Sequence, residues 1–167
     1  MIKNIIFDVD GTLTDGGIIY SDIGKEIKRF SAYDGLVMRV LPQIGINTII
    51  LTGRKSETVR KRGEDLGITH IMQGVLDKEE KLREMSSGLN LKETAYIGDD
   101  LNDYAAMLLC EFRACPANAA EEIKAICGYI SPYNGGDGAV RDVLEYILKK
   151  QRQWDEILKI FMIFKNS

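Results

Sequence analysis

Residues 5–17 read IIFDVDGTLTDGG, a short apolar run followed at once by three aspartates, Asp8, Asp10 and Asp15, among glycines and threonines. The apolar run predicts a buried β-strand. Further runs of this kind alternate with segments in which apolar residues recur at helical spacing. The runs are IKNIIF (2–7), INTIIL (46–51), ITHIM (68–72), TAYIG (94–98) and, more weakly, EFRAC and GYIS. This alternation predicts an α/β fold, a doubly wound, Rossmann-like parallel sheet with helices on both faces.

The composition suits one folded domain, because the chain has 167 residues, of which 45% are hydrophobic and 28% are charged. The net charge of -3 gives no general attraction to nucleic acid or to an anionic membrane, so we expect neither as a partner. The sequence shows neither a signal-peptide core nor an apolar stretch long enough to span a membrane, and a cytoplasmic location is expected. Three cysteines, Cys110, Cys115 and Cys127, have no paired C-x-x-C spacing and are predicted to be reduced thiols.

Residues 17–30, GIIYSDIGKEIKRF, depart from the alternation of strands and helices. Apolar residues flank the turn SDIG on both sides, which predicts a β-hairpin. The hairpin follows the acidic run directly, so we expect it to project from the edge where a ligand binds. Asp15, placed before two glycines, is expected to anchor this turn. The space before the helix expected near Asp34 holds the hairpin and nothing larger, so no cap domain is predicted.

Chemically distinctive residues follow several of the predicted strands. Thr52 and Gly53 lie in LTGR, Lys78 lies at the start of a helix in DKEEK, and YIGDDLND delivers Asp99 and Asp103. The carboxyl ends of parallel strands share one edge of a doubly wound sheet. The sequence therefore predicts that carboxylates, a hydroxyl and an ammonium gather in one crevice with the aspartates of the first stretch.

Such a cluster favours a divalent cation, since grouped carboxylates repel one another unless a cation neutralises them. Oxygen ligands suit Mg²⁺, and Asp8 and Asp99 together with a backbone carbonyl could hold it. The chemistry that this predicts is phosphoryl transfer. An aspartate can be the nucleophile, and a second carboxyl, Asp10, could protonate the leaving oxygen and then activate water.

The motifs DVDGT, LTGR, the lysine of DKEEK and GDDLND, in that order over residues 5–103, resemble those of the haloacid dehalogenase (HAD) phosphatase superfamily. The resemblance implies a magnesium-dependent phosphatase with Asp8 as nucleophile and Asp10 as general acid and base. It implies phosphate binding by Thr52, Gly53 and Lys78, and metal binding by Asp8, Asp99 and the carbonyl of Asp10. Asn102 and Asp103 would support the metal and Lys78.

Response-regulator receiver domains are an alternative, because they also combine acidic residues, a threonine and a lysine on a doubly wound sheet. Their phosphorylated aspartate follows a middle strand and their lysine lies near the last strand, whereas here the acidic pair comes first and GDDLND follows Lys78. A non-enzymatic phospho-switch or a phosphosugar-binding relative is the corresponding alternative function.

The capless pattern of TDGG, hairpin, LTGRK, AYIGDDLND and GGDGAVRDV is similar to the family of 3-deoxy-D-manno-octulosonate 8-phosphate (Kdo 8-phosphate) phosphatases, over residues 2 to 148. This resemblance implies hydrolysis of a sugar-acid phosphate in lipopolysaccharide biosynthesis, by a homotetramer whose hairpins and C-terminal segments close neighbouring sites. Phosphatases of a nonulosonate (KDN or N-acylneuraminate) 9-phosphate are the alternative, and they carry Glu where Arg54 stands here. Two positions depart from the family pattern, Tyr33 and Asp137, where basic residues are common.

Arg54 is predicted to contact the substrate, since a guanidinium suits a carboxylate or sugar hydroxyls. Arg141, in the glycine-rich stretch NGGDGAVRDV, could also reach an anionic group, or the stretch could be a turn that enters a helix. Asn118 and Glu121 are spaced as a capping box at the start of another helix.

The C-terminal region carries an amphipathic stripe made up of Val140, Val143, Leu144, Ile147 and Leu148. Apolar residues continue beyond it at similar spacing; they are Trp154, Ile157, Leu158, Ile160, Phe161, Met162, Ile163 and Phe164. We therefore predict one domain over residues 1–150 and an apolar helical tail over 151–167. The tail could pack on its own domain or on a neighbouring subunit.

Overall fold

The structure is a computed structural model that describes residues 1–162. A six-stranded parallel sheet runs in the spatial order β5-β4-β1-β6-β7-β8, and a separate antiparallel hairpin joins β2 to β3. The strands in chain order are β1 (Asn4–Phe7), β2 (Ile19–Tyr20), β3 (Glu26–Ile27), β4 (Asn47–Thr52), β5 (His70–Gln73), β6 (Thr94–Ile97), β7 (Phe112–Cys115) and β8 (Tyr129–Ile130). Each predicted apolar run overlaps a strand, and the doubly wound α/β fold is confirmed.

Helices cover both faces of the sheet. They are α1 (Ala32–Met38), α2 (Glu57–Asp65), α3 (Lys78–Met85), α4 (Leu101–Leu108), α5 (Glu121–Ile126), α6 (Ala139–Lys150) and α7 (Trp154–Ile160). One apolar core packs α1, α2, α6 and α7 against the face that carries Ile5 and Phe7. The other packs α3, α4 and α5 against the face that carries Ile6 and Tyr96. The alternation of side chains along β1 thus supplies both cores.

The central strand β1 lies at the point where the strand order reverses. The chain leaves β1 for β4 and β5 on one side and returns to β6 on the other, with Phe7 paired to Ile50 and to Ile97. In doubly wound sheets this reversal opens a crevice beyond the carboxyl ends of the strands. Asp8, Thr52 and Asp99 follow or end these three strands and therefore lie at that crevice.

The hairpin is the one addition to the sheet-and-helix frame within the described residues, in agreement with the predicted absence of a cap domain. Ile19 pairs with Ile27 and Tyr20 pairs with Glu26. At its base, Arg29 binds Asp137 at 3.0 Å, and the Asp15 carboxylate accepts a hydrogen bond from the Gly17 N–H at 2.9 Å. Its outer surface exposes apolar side chains, which are Ile18, Ile19, Tyr20, Ile23 and Ile27.

The capping box expected at Asn118 and Glu121 is wrong, because α5 begins at Glu121 with Ala120 at the cap position. The Asn118 amide instead joins two loops: it donates to the Gly11 carbonyl at 3.0 Å and accepts from the Gly135 N–H at 2.6 Å. The local spacing could not reveal these partners, because both are distant in sequence.

The amphipathic stripe of α6 is buried in the core. In α7, Ile157 is also buried against this domain, and Trp154, Ile160 and Phe161 pack beside it. Met162 is exposed, and the predicted apolar positions Ile163 and Phe164 lie outside the described residues. The three cysteines are free thiols. None of the helices that the structure describes is long and apolar enough to cross a membrane.

Candidate active site

A buried lysine bridges two carboxylates at the centre of the crevice. The Lys78 Nζ lies 2.6 Å from Asp8 Oδ1 and 2.6 Å from Asp103 Oδ1. Lys78 is the first residue of α3, which Asp77 caps by accepting the Glu80 N–H. Burial alone would lower the pKa of Lys78, but the two carboxylates outweigh burial and raise it. The ammonium is therefore a permanent charge held against Asp8.

Asp103 is fully buried, and each of its oxygens accepts hydrogen bonds. Oδ1 accepts from Lys78 and from the Tyr96 hydroxyl at 2.7 Å, while Oδ2 accepts from the N–H groups of Asp99 at 3.1 Å and Asp100 at 3.4 Å. Burial, followed by the neighbouring Asp103 charge, raises the pKa of Tyr96 well above its usual value, so its hydroxyl is a donor. Asp103 thus fixes both Lys78 and the loop that carries Asp99.

Asp99 is seated against the loop that follows β1. Its Oδ1 accepts a hydrogen bond from the Thr12 hydroxyl at 2.8 Å. Gly11 has a φ of +96°, and a Cβ built there would lie 2.0 Å from Asp99 Oδ2. Only glycine satisfies both the backbone conformation and the close approach of the carboxylate.

The electrostatics of the cluster fit a divalent cation. Burial first, and then the nearby Asp103 charge, raises the pKa of Asp8 to about 6 in spite of Lys78. Burial and the Asp8 charge raise the pKa of Asp99 to about 8. Carboxylate oxygens of Asp8, Asp99 and Asp103 all lie within 4.8 Å of one another. A cation held by Asp8 and Asp99 would remove their repulsion, and an all-oxygen donor set suits Mg²⁺.

Asp10 lies outside this cluster and faces the hairpin. Lys28, whose side chain is 1% exposed, forms ion pairs with Asp10 Oδ1 and, at 2.6 Å, with Glu26 Oε1. The Arg54 Nε is 3.4 Å from Glu26 and 4.0 Å from Asp10 Oδ2, and its guanidinium donates to the Tyr20 hydroxyl at 3.2 Å. The predicted substrate residue Arg54 therefore lies beside Asp10 at the rim of the site.

The other predicted site residues divide into two groups. Thr52 is buried at the end of β4, and the half-buried Gly53 follows it. By contrast, Asn102 is exposed on α4, and its side chain forms no hydrogen bond with the described residues. The Arg141 guanidinium pairs with Glu145 at 2.7 Å and lies 5.3 Å from the centre of the Trp154 ring. These contacts hold the Arg141 side chain against α6 and α7, and a substrate role for it stays a prediction.

Four contacts of the site escaped the sequence analysis, namely those made by Thr12, Glu26, Lys28 and Tyr96. Thr12 stands inside the acidic motif, so its position was a usable signal. Glu26 lies on β3 and Lys28 directly follows it, and their contacts with the site become apparent only when the orientation of the hairpin is known. Tyr96 looked like an ordinary core residue of β6, and nothing local indicated its buried partner.

Comparisons with known proteins agree with this geometry. The family profile of haloacid dehalogenase-like hydrolases matches residues 65–144. The chain is similar to the 3-deoxy-D-manno-octulosonate 8-phosphate phosphatase KdsC of Haemophilus influenzae, at 38% identity over 152 residues that cover 90% of this chain and 84% of that protein. It is also similar to the solved structure of 3-deoxy-D-manno-octulosonate 8-phosphate phosphatase from Moraxella catarrhalis in complex with magnesium ion, phosphate ion and KDO (44% identity, TM-score 0.91, covering 96% of this chain and 93% of that one). The cobalt-bound phosphatase of H. influenzae has 38% identity and a TM-score of 0.84, over 90% of this chain and 89% of that one.

Proposed function

The chain belongs to the haloacid dehalogenase-like hydrolases and, among them, to the Kdo 8-phosphate phosphatases, and we propose on this basis that it hydrolyses Kdo 8-phosphate to Kdo and phosphate. The observation that carries the proposal is the arrangement at the end of β1: Asp8 is paired with Lys78, lies beside Asp99 and is followed two residues later by Asp10. The resemblance of the sequence motifs to HAD phosphatases is confirmed by the relatives.

In the first step, a carboxylate oxygen of Asp8 attacks the phosphorus atom and the bond from phosphorus to the sugar O8 breaks. Asp10 gives its proton to the departing O8, so that Kdo leaves as a neutral alcohol at that position. The product on the enzyme is an acyl phosphate of Asp8. Lys78 and the Thr52 hydroxyl are the groups to which we assign binding of the phosphoryl oxygens that gain charge.

In the second step, water attacks the phosphorus atom of the acyl phosphate. Asp10, now a carboxylate, accepts a proton from that water, and the bond from phosphorus to the Asp8 oxygen breaks. Phosphate leaves, and both aspartates return to their starting forms. Mg²⁺, held by Asp8, Asp99 and the carbonyl of Asp10, would supply positive charge against the phosphoryl oxygens in both steps.

Substrate selection is assigned to the rim beside Asp10. The Arg54 side chain is 44% exposed there and contacts Glu26 and the Tyr20 hydroxyl. A guanidinium binds a carboxylate through a planar pair of hydrogen bonds. Arg54 therefore suits the carboxylate that distinguishes a sugar acid from a simple sugar phosphate.

The proposed assembly is a homotetramer in which hairpins and tails of neighbouring subunits cover the sites. Its support is the apolar outer surface of the hairpin, because an isolated two-stranded hairpin is only marginally stable in water. The proposed location is the cytoplasm. Its support is the three free thiols, which persist in a reducing compartment.

The test is phosphate release from Kdo 8-phosphate, from a nonulosonate 9-phosphate and from a panel of simple sugar phosphates, each with Mg²⁺ and with a chelator. We expect the highest kcat/KM for Kdo 8-phosphate and loss of turnover on chelation. Uniformly weak turnover across the panel would contradict the substrate assignment. Undiminished turnover in the chelator would contradict the role given to the metal.

A further inference from the structure

The contact between the hairpin and Asp10 points to a residue with a role in catalysis that the motifs do not include. Lys28 is 8% exposed overall, although it belongs to a two-stranded hairpin whose neighbouring Ile27 is 50% exposed. Its ammonium lies between Asp10 Oδ1 and Glu26 Oε1. Burying a lysine is unfavourable unless its charge is paired, so this placement reflects a specific interaction.

We infer that Lys28 is a positioning residue: it anchors Oδ1 of Asp10, so that Oδ2 is the oxygen that exchanges a proton with the substrate O8 and with water. The inference rests on the proposed phosphatase function. Among the described residues, Lys28 is the one side chain that hydrogen-bonds to the Asp10 carboxylate. Asp10 Oδ2 is left with the more distant Arg54 Nε, at 4.0 Å.

Orientation matters at Asp10 because the terminal torsion of an aspartate is broad. Proton transfer requires the donor and acceptor oxygens to come within hydrogen-bonding distance, about 2.6–3.2 Å. With Oδ1 anchored by Lys28, rotation of the carboxylate is restricted and Oδ2 is the oxygen left for the substrate and for water. Without the anchor, Asp10 would sample orientations in which neither oxygen reaches O8.

Charge is the second reason for a lysine at this position. Once Asp10 has given up its proton, it and Glu26 place two carboxylates at the rim of a site that also holds an anionic phosphoryl group. Lys28 neutralises one of these charges, and Arg54, 3.4 Å from Glu26, offsets the other. Burial of Glu26 opposes its ionisation, but Lys28 and Arg54 together lower its pKa, so Glu26 stays an anion that holds both cations in place.

The hairpin supplies this anchor at the end of β3. Lys28 directly follows the strand, and its ammonium contacts both Glu26 and Asp10, so the two hairpin side chains lie on the side of the site, while Ile27 between them is exposed. The Thr58 hydroxyl on α2 donates to the Glu26 carbonyl at 3.4 Å, which ties β3 to the domain. The hairpin thus acts on the reaction from its own subunit, in addition to any contact with neighbours.

The test compares Lys28→Met with the parent on two substrates, Kdo 8-phosphate and p-nitrophenyl phosphate. The alkoxide of Kdo needs a proton to leave, whereas p-nitrophenolate leaves without one. The comparison uses kcat/KM, which reports the steps up to departure of the leaving group and leaves out the hydrolysis of the acyl phosphate that both substrates share. General acid catalysis contributes on the order of 100-fold or more, so we expect kcat/KM for Kdo 8-phosphate to fall about 10- to 100-fold. For p-nitrophenyl phosphate we expect kcat/KM to fall about 3-fold or less. An equal loss of kcat/KM on both substrates, or an unchanged kcat/KM for Kdo 8-phosphate, would overturn the inference.

A double-mutant cycle gives an independent readout. In an Asp10→Asn background, Lys28→Met should change kcat by about 2-fold or less, since its effect acts through Asp10. Full additivity of the two substitutions would contradict the inference. Lys28→Gln retains an uncharged donor one atom closer to the backbone, and it replaces Lys28→Met if the latter does not fold; the same selective loss is expected.

Lys25→Met is the matched control, because Lys25 is an exposed lysine on the same hairpin. Its kinetic constants should equal those of the parent, and circular dichroism with size-exclusion chromatography should show the same fold and assembly for every variant. If the parent itself does not turn over Kdo 8-phosphate, the proposed function fails. If the parent is active and Lys28→Met shows no selective loss, the inference on Lys28 alone fails.

Discussion

Asp103→Asn is expected to destabilise the fold strongly, because Asp103 is a fully buried carboxylate with four hydrogen-bond donors around it. Lys78 and Tyr96 donate to Oδ1 at 2.6 and 2.7 Å, and the N–H groups of Asp99 and Asp100 donate to Oδ2. Asparagine has the same shape but only one acceptor oxygen. Its NH₂ group must therefore face donors on one side or the other, and the pair with Lys78 loses its charge.

Lys78 stays paired with Asp8 in this variant, so the cost is that of buried donors left without an acceptor, about 1–3 kcal/mol. For a chain of this length, such a loss lowers Tm by about 2–12 °C. Thermal unfolding followed by circular dichroism, in a chelator so that metal binding does not contribute, measures this change. Asp100→Asn is the matched control, since Asp100 is an exposed cap of the same helix and asparagine caps equally well. Equal Tm values for Asp103→Asn and Asp100→Asn would refute the reasoning.

Two further predictions concern the surroundings of the site. Gly11 has a φ of +96°, and the Cβ added by Gly11→Ala would lie 2.0 Å from Asp99 Oδ2. This substitution should lower the free energy of unfolding, measured by denaturant titration, by about 2–4 kcal/mol. It should also weaken Mg²⁺ binding measured by calorimetry, and unchanged metal affinity would contradict the prediction. Burial raises the pKa of Asp34 from 3.8 to about 6, so the folded state holds this proton more tightly than the unfolded state does. The free energy of unfolding of the parent, relative to Asp34→Asn, should therefore fall as pH rises from about 4 to about 6, by about 3 kcal/mol at most; a difference that is constant with pH would argue against the shift.

The sheet and its functional edge could be predicted from the sequence because both depend on local patterns. Short apolar runs such as IIF define strands, and the order of a doubly wound sheet brings their carboxyl ends together. These patterns predict that Asp8, Lys78 and Asp99 lie in one crevice, and the structure brings them together there. β1 pairs in parallel with β6, and the strand order reverses at β1. These two features bring the residues that follow β1 and β6 close to one another.

Contacts between loops could not be predicted in the same way. Asn118 satisfies the spacing rule of a helix cap, yet its amide binds Gly11 and Gly135, which pack against it only in the folded chain. Lys28 reads as an ordinary charged residue of a hairpin, and its burial depends on how the hairpin folds over Asp10. In both cases the decisive partner is far away in sequence, and local propensity carries no information about it.

The most direct test of the central claim is hydrolysis of Kdo 8-phosphate by Asp8→Asn with Mg²⁺ present. Asp8 is the proposed nucleophile of the first step. We therefore expect the variant to be a folded protein of the same assembly, with phosphate release reduced by about 1000-fold or more. An Asp8→Asn protein that hydrolyses Kdo 8-phosphate at the rate of the parent would contradict this claim.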